Sequence, residues 1–237
     1  MHGNYDQIAL LTETIELFKG LESVDPFAIS EICHWHRYPK NSQILSSEEH
    51  SADVFFVVRG TVLARSFSEE GKEVSYNEIG AGGIFGEFSA IDGKQRSASV
   101  DAIEECVIAT MTSADFRQLV RENGELGLRL AELLVTKSRA LTTRIFEYGT
   151  LPVRARIQSE LLRLCDGAEI RANQCTINPA PTHYEIATRI ATHREAVSRE
   201  LNVLALEKII EIDRRKIRVM DVARLREMNN GGHSRHP

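Results

Sequence analysis

The sequence predicts an α+β protein in three successive parts: a β-rich N-terminal half, one long helix, and a C-terminal helix-turn-helix with a β-hairpin wing. Three observations carry this reading. Short apolar stretches separated by glycine turns run from about Trp35 to Met111, the spacing of a closed roll or barrel. No proline interrupts residues 124–148, where Leu126, Leu130, Leu133, Leu134, Leu141, Ile145 and Tyr148 form a partial heptad seam. Thr182-x-x-Glu185 and Thr192-x-x-Glu195 are both capping boxes, close enough to leave room for only one short helix and a tight turn.

The chain has 237 residues, 42% hydrophobic and 27% charged, which suits one large or two ordinary globular domains. No apolar run approaches the roughly 20 residues that span a bilayer. The N-terminus lacks the basic-then-apolar pattern of a secretory signal. The expectation is therefore a cytoplasmic protein with no membrane partner. Cys33, Cys106, Cys165 and Cys175 are scattered, which argues against a zinc ribbon or a redox pair and for buried thiols. Charge is uneven: residues 1–150 hold 14 Lys and Arg against 23 Asp and Glu, whereas residues 151–237 hold 15 against 11. A basic back half suits contact with a polyanion.

In chain order, residues 1–20 read as an amphipathic lead-in with Ile8, Leu10, Leu11, Ile15, Leu17 and Phe18 apolar. Asp25-Pro26 starts a helix. Val54–Val58, Thr61–Phe67, Val74–Ile79, Ser97–Ala102 and Cys106–Met111 read as strands, with Glu69-Glu70-Gly71-Lys72 as a hairpin turn. Ser113 is a candidate N-cap for the helical region that follows. Gly149-Thr150-Leu151-Pro152 reads as a break and a hinge. Val153–Cys165 is another amphipathic helix, Asp166–Thr176 is polar and irregular, and Cys175–Asn178 reads as a short strand. Lys208–Ile212 and Lys216–Val219 flank a basic tip at Arg214 and Arg215. The expected division is 1–122, 123–149, 150–228 and a frayed tail at 229–237.

Two stretches carry chemistry. The first is Gly82 to Val100. Gly86 lets the backbone approach a ligand closely. The short segment from Glu87 would present free N–H groups to an anion. Arg96 offers a planar fork that grips phosphate with two parallel bonds, and Ser97 adds a hydroxyl. Glu87 accepts only, so it suits a ligand hydroxyl. A glycine-rich run alone reads equally well as a turn cluster. The second stretch is Arg194-Glu195-Ala196-Val197-Ser198-Arg199, at the start of the second predicted helix. A recognition helix reaches base edges from that end; Arg can grip guanine and Glu can accept from cytosine. Glu195 also fits a capping role alone, and the arginines also fit a solvated face.

The Gly82–Val100 stretch resembles the phosphate-binding cassette of cyclic-nucleotide-binding domains. That resemblance implies a β-roll in which Glu87 holds the ribose 2′-hydroxyl and Arg96 and Ser97 hold the cyclic phosphate, with backbone help near Gly86, Phe88 and Ala98. The second stretch resembles the recognition helix of the CRP/FNR family of bacterial transcription regulators, and the family order covers about residues 15–226. The resemblance implies that the long helix dimerises the protein and that Thr142 and Thr143 reach the nucleotide base. It implies double-stranded DNA, a second copy of the chain and RNA polymerase as partners. The DNA-facing candidates are Thr182, Thr192, His193, Arg194, Glu195, Ser198 and Arg199, with Arg214, Arg215 and Lys216 on phosphates at the wing. This recognition segment contains both Arg-Glu-x-x-x-Arg and Glu-x-x-Ser-Arg, so TGTGA-like and TTGAT-like half-sites both stay open. The effector expected is cAMP, with cGMP open and no resident cofactor. His34, His36 and His50 lack ligand-spaced partners for haem or a metal, and Cys33 alone does not imply an iron–sulfur cluster. Nothing offers paired metal ligands or an activated nucleophile, so an enzyme is not expected. A regulatory subunit of an enzyme and a nucleotide-independent regulator are the rival readings.

Overall fold

A computed structural model describes residues 10–22, 24–68 and 73–231. Ile8 and the Glu69–Lys72 turn lie outside the described residues. The chain forms two compact units, residues 1–137 and 138–237.

The first unit follows the alternation of its apolar residues. After a helical turn at 10–14 comes α1 (Pro26–Glu31). Its N-cap Asp25 accepts from the Phe27 amide. Eight strands follow: β1 (Cys33–Tyr38), β2 (Gln43–Leu45), β3 (Val54–Arg59), β4 (Val62–Phe67), β5 (Glu73–Ile79), β6 (Ile84–Phe85), β7 (Ser99–Ala102) and β8 (Cys106–Met111). They pair antiparallel into two four-stranded sheets, ordered β1-β8-β3-β6 and β2-β7-β4-β5. Strand β3 is buried from Val54 to Val58 because it faces two cores. Phe55 and Val57 join Val62, Phe85 and Ile108 in one cluster. Phe56 and Val58 join Phe18, Ile29, Phe116 and Leu126 in the other. Between β6 and β7 sits the short α2 (Glu87–Asp92). Helix α3 (Ser113–Glu122) starts from Thr112, not Ser113: the Thr112 hydroxyl accepts from the Asp115 amide. Thr112, one residue earlier, has the extended backbone that a cap requires.

Helix α4 (Gly124–Thr150) is the long helix. It runs through Gly149, and the Leu151 amide still donates to Glu147 O. Glycine weakens a helix by about 1 kcal/mol without removing a donor, whereas Pro152 has none, so the break waits for Leu151-Pro152.

The second unit adds α5 (Val153–Asp166), β9 (Ile170–Arg171), β10 (Gln174–Ile177), α6 (His183–Arg189), α7 (Arg194–Leu206), β11 (Ile210–Asp213), β12 (Lys216–Val219) and α8 (Val222–Gly231). The four strands form one antiparallel sheet, β11-β12-β10-β9. The region expected to be irregular thus holds a hairpin, turned by Ala172 and Asn173, both at positive φ. Ile157, Leu161, Ile186, Val197, Leu201, Leu204, Ile217 and Leu225 fill one core. Helix α8 runs beyond Met228 because the Asn229 side chain hydrogen-bonds the Ser159 hydroxyl.

All four cysteines are buried and unpaired. Burial, helped by Asp115, pushes the Cys33 thiol up to about 12. No described helix is long and apolar enough to cross a membrane. Among the described residues no cluster of His, Cys, Asp and Glu is placed to hold a metal ion.

Candidate functional site

The cassette is built around a buried guanidinium. Arg96 is 5% exposed. Its Nη1 donates to Asp53 O and Gly86 O, each at 3.0 Å, and its Nη2 donates to the Ser51 hydroxyl at 2.8 Å. These bonds use three of the five N–H donors of the group. Nε is buried without a partner. Nε and Nη2 form one edge of the guanidinium, so the edge left with donors has the geometry that takes an anion with two oxygens. The guanidinium lies over the Phe55 ring, 5.6 Å from its centroid, and Phe55 stacks on Phe85 at 4.7 Å. Burial, the largest cause, pulls the Arg96 pKa below its ordinary value, against Glu49, Asp53 and Glu87, which push the other way.

Gly86 makes this packing possible. It caps α2 at φ 80°, and a Cβ there would sit 2.7 Å from Asp53 O and 2.8 Å from Arg96 Nη1. Ser97 is exposed, Ala98 half-buried and Phe88 exposed. The turn at Ser47–Glu49, which has no glycine, is tied to the cassette instead. The Ser47 amide donates to the Ser99 hydroxyl at 2.9 Å and Gln95 Nε2 donates to Ser47 O at 3.1 Å.

Glu87 is 3% exposed and already has a cation. Lys137 Nζ lies 2.7 Å from Glu87 Oε1 and donates also to Ile84 O at 3.1 Å. Lys137 is a residue of this site that is not among the candidates read from the sequence. A lysine on an otherwise apolar seam was its one signal, because a cation there needs a partner. Ser51 and Asp53 carried no signal: one serves through a hydroxyl and the other through its backbone. Thr142 and Thr143 are exposed on α4, and their hydroxyls donate to Ser138 O and Arg139 O within the helix.

The second unit presents a separate face. Helix α6 is capped as expected: Thr182 and Glu185 form both bonds of the capping box. Helix α7 is not. Its N-cap is His193, with no side-chain bond, so the Thr192-x-x-Glu195 box does not form. The Thr192 amide is spent on Ala187 O, closing the turn, while Ala191 takes φ 52°. That places the helix start one residue later than the box requires. Arg194, Glu195 and Arg199 are exposed along the first turns of α7, with His193 exposed before them. Ser198 is half-buried, its hydroxyl 2.7 Å from His183 Nδ1. On the opposite side of α7, buried Glu200 accepts from Gln158 at 2.8 Å and Arg154 at 3.1 Å, which ties the helix to α5. Arg214, Arg215 and Lys216 are exposed at the β11–β12 tip, and Arg215 O is held by the Ala180 amide.

Residues 35–123 match the cyclic nucleotide-binding domain, and residues 155–228 match the Crp-like helix-turn-helix domain. The chain is 30% identical over 179 residues to the cAMP-activated global transcriptional regulator CRP of Haemophilus influenzae, covering 75% of this chain and 80% of that protein. It belongs to the CRP/FNR family of transcription regulators. Vfr of Pseudomonas aeruginosa is 26% identical over 184 residues, 76% of this chain and 86% of its own length. Among solved structures, a CooA variant from Carboxydothermus hydrogenoformans superposes with TM-score 0.79 at 23% identity, covering 94% of this chain and 99% of that one. A CRP-family transcriptional regulator of Thermus thermophilus does so with TM-score 0.67 at 25% identity, covering 83% and 96%. As a CRP/FNR-family regulator the chain carries a cyclic-nucleotide-type domain, which holds Glu87 and Arg96, and a DNA-binding helix-turn-helix, which holds Arg194, Glu195 and Arg199.

Proposed function

We propose that this regulator senses a cyclic nucleotide, with cAMP the first choice, and acts as a homodimer on a palindromic DNA site. The observation that carries the reading is Arg96, a buried cation with an unpartnered Nε and no protein carboxylate bonded to it. A cyclic phosphate offers two non-bridging oxygens to that edge, and Ser97 adds a third donor. Glu87 then accepts from the ribose 2′-hydroxyl, with its charge offset by Lys137. The relatives named as cAMP-activated favour cAMP over cGMP. Thr142 and Thr143 are the hydroxyls proposed to read the base.

The DNA half reads sequence through Arg194, Glu195 and Arg199 and gains affinity from phosphate contacts at Arg214, Arg215 and Lys216. Two copies set their recognition helices about 34 Å apart, one turn of DNA. A TGTGA-containing palindrome is the first operator to try. Nucleotide acts by population shift, so it must contact the two states differently. The pairs Arg163–Glu147 and Arg144–Glu160 bridge Gly149–Pro152, which favours a joint N-terminal to Arg144 over one near Thr150. RNA polymerase is the partner proposed for the DNA-bound dimer.

Calorimetric titration of nucleotide-free, full-length protein with cAMP and then cGMP tests the sensor. Micromolar or tighter binding is expected, and the tighter nucleotide names the signal. No heat with either nucleotide would remove the sensor reading and leave a DNA-binding regulator with another effector.

A further inference from the structure

The turn of the helix-turn-helix is gripped by residues outside it. The last carbonyls of a helix have no intrahelical partner and sit at the negative end of its dipole, where cations are favoured. At the end of α6 those carbonyls are taken. Arg189 O accepts from Arg144 Nη1 at 3.0 Å and from the Tyr148 hydroxyl at 2.6 Å. Ile190 O accepts from Arg156 Nη1 at 2.8 Å. The Arg156 guanidinium lies 5.7 Å over the Tyr148 ring, so the donors also support one another.

The grip is anchored in turn. Glu160, 2% exposed, pairs with Arg144 at 3.0 Å, Arg163 at 3.0 Å and Arg189 at 3.4 Å. Arg163 also pairs with Glu147 at 2.7 Å. The next residue after these carbonyls, Ala191, holds a left-handed φ of 52° that a non-glycine residue adopts only under constraint. The Thr192 amide then closes the turn on Ala187 O at 2.9 Å, and α7 begins two residues on.

We infer that Arg144, Tyr148 and Arg156 are positioning residues for sequence reading. Acting through the Arg189 and Ile190 carbonyls, they fix the turn and so the angle at which α7 presents Arg194, Glu195 and Arg199. The inference rests on the reading of that face as the DNA-reading one. Angle matters for base contacts and little for phosphate contacts, since the former need bidentate alignment and the latter need charge.

Two readouts test it on the full-length protein, in Arg144→Gln and the milder Tyr148→Phe. Hydrogen exchange, with no ligand or DNA present, is expected to show the Thr192 amide exchanging about tenfold faster in both variants, with Tm nearly unchanged in Tyr148→Phe, which keeps the Glu160 ion pairs. Affinity for a duplex that the wild type enriches from a random-sequence pool, with cyclic nucleotide included throughout, is expected to fall about tenfold. Affinity for an unrelated duplex should stay as it is. A Thr192 exchange rate equal to wild type in both variants would overturn the inference alone. So would equal losses on both duplexes, which would make Arg144 a phosphate contact. A wild type that enriches no duplex would overturn the DNA-reading assignment, and the inference with it.

Discussion

The two units bury arginines in opposite ways. In the roll, Arg96 is surrounded by two backbone carbonyls, a serine hydroxyl and an aromatic ring, and it forms no ion pair among the described residues. In the helical unit, Arg144, Arg163 and Arg189 share Glu160, and Arg163 adds Glu147. The pKa directions follow. Burial pulls Arg96 down, whereas Arg163, also opposed first by burial, is raised by its bonds to Glu147 and Glu160. A buried charge is costly unless paired. The ion-paired cluster is therefore architecture, and the arginine without a carboxylate is a place for an anion to complete.

The largest expected effect lies in the ion-paired cluster. Removing one member of a buried ion-pair network leaves uncompensated charge and costs about 3–5 kcal/mol. Glu160→Gln, which removes the carboxylate that three arginines share, should lower the stability of residues 138–237 by that much in denaturant titration. A loss below about 1 kcal/mol, the level of an exposed pair, would mean the network is incidental. Its pH dependence has a definite sign. Burial raises the Glu160 pKa, but Arg144, Arg163 and Arg189 together outweigh it, so the folded value lies below the ordinary one. A depressed carboxylate stabilises the fold fully above the unfolded value, about 4.3, and loses that contribution as pH falls through the folded value. Acid unfolding of the wild type should show this loss, and Glu160→Gln should lack it.

Next comes the arginine without a carboxylate. Two charge-assisted bonds are worth about 3 kcal/mol together, so Arg96→Ala should weaken cyclic-nucleotide binding about 100-fold. Arg96→Lys should recover little of it, since an ammonium has no fork. Equal binding by the Lys variant and the wild type would make the site a point-charge pocket and blur the contrast between the units. Gly86→Ala should cost about 1–3 kcal/mol of stability through its positive φ, and the added Cβ should also push on Arg96 and weaken nucleotide binding. The smallest effects belong to exposed residues. Arg199→Ala should cost about 1–3 kcal/mol on a preferred site and relax its base preference, whereas Arg215→Ala should weaken all duplexes alike and lower the salt slope by about 1.

Much of this was legible in the sequence, for reasons that differ by element. Strand β3 is an apolar run, and β11 and β12 alternate apolar with charged residues on either side of a turn, patterns that periodicity reads directly. Glu87, Arg96 and Ser97 were singled out by the resemblance of Gly82–Val100 to a phosphate-binding cassette, since a glycine-rich run alone reads equally well as a turn cluster. The capping box at Thr182 formed as its residues suggest, but its twin at Thr192 did not, because a turn amide was needed elsewhere and a four-residue pattern cannot register that competition. The break read at Gly149-Thr150-Leu151-Pro152 falls at its far end: the helix passes through Gly149 and stops at Thr150, and pairs from Arg144 and Glu147 reach residues beyond Pro152. Long-range partners of this kind, Lys137 on Glu87 included, leave only a stray charge on an apolar seam as their trace.

An anion bound at Arg96 is proposed to change how the helix-turn-helix meets DNA. Binding linkage makes this measurable, since a ligand that favours the reading state must tighten DNA binding. The most direct measurement is the affinity of the full-length protein for its preferred duplex, with and without saturating cAMP, in wild type and Arg96→Ala. The account predicts at least about tenfold tighter binding with cAMP in the wild type, within the usual range of coupling between sites, and no response in the variant. The two proteins should be equal when nucleotide is absent. An unchanged wild-type affinity on adding a nucleotide that demonstrably binds would contradict it.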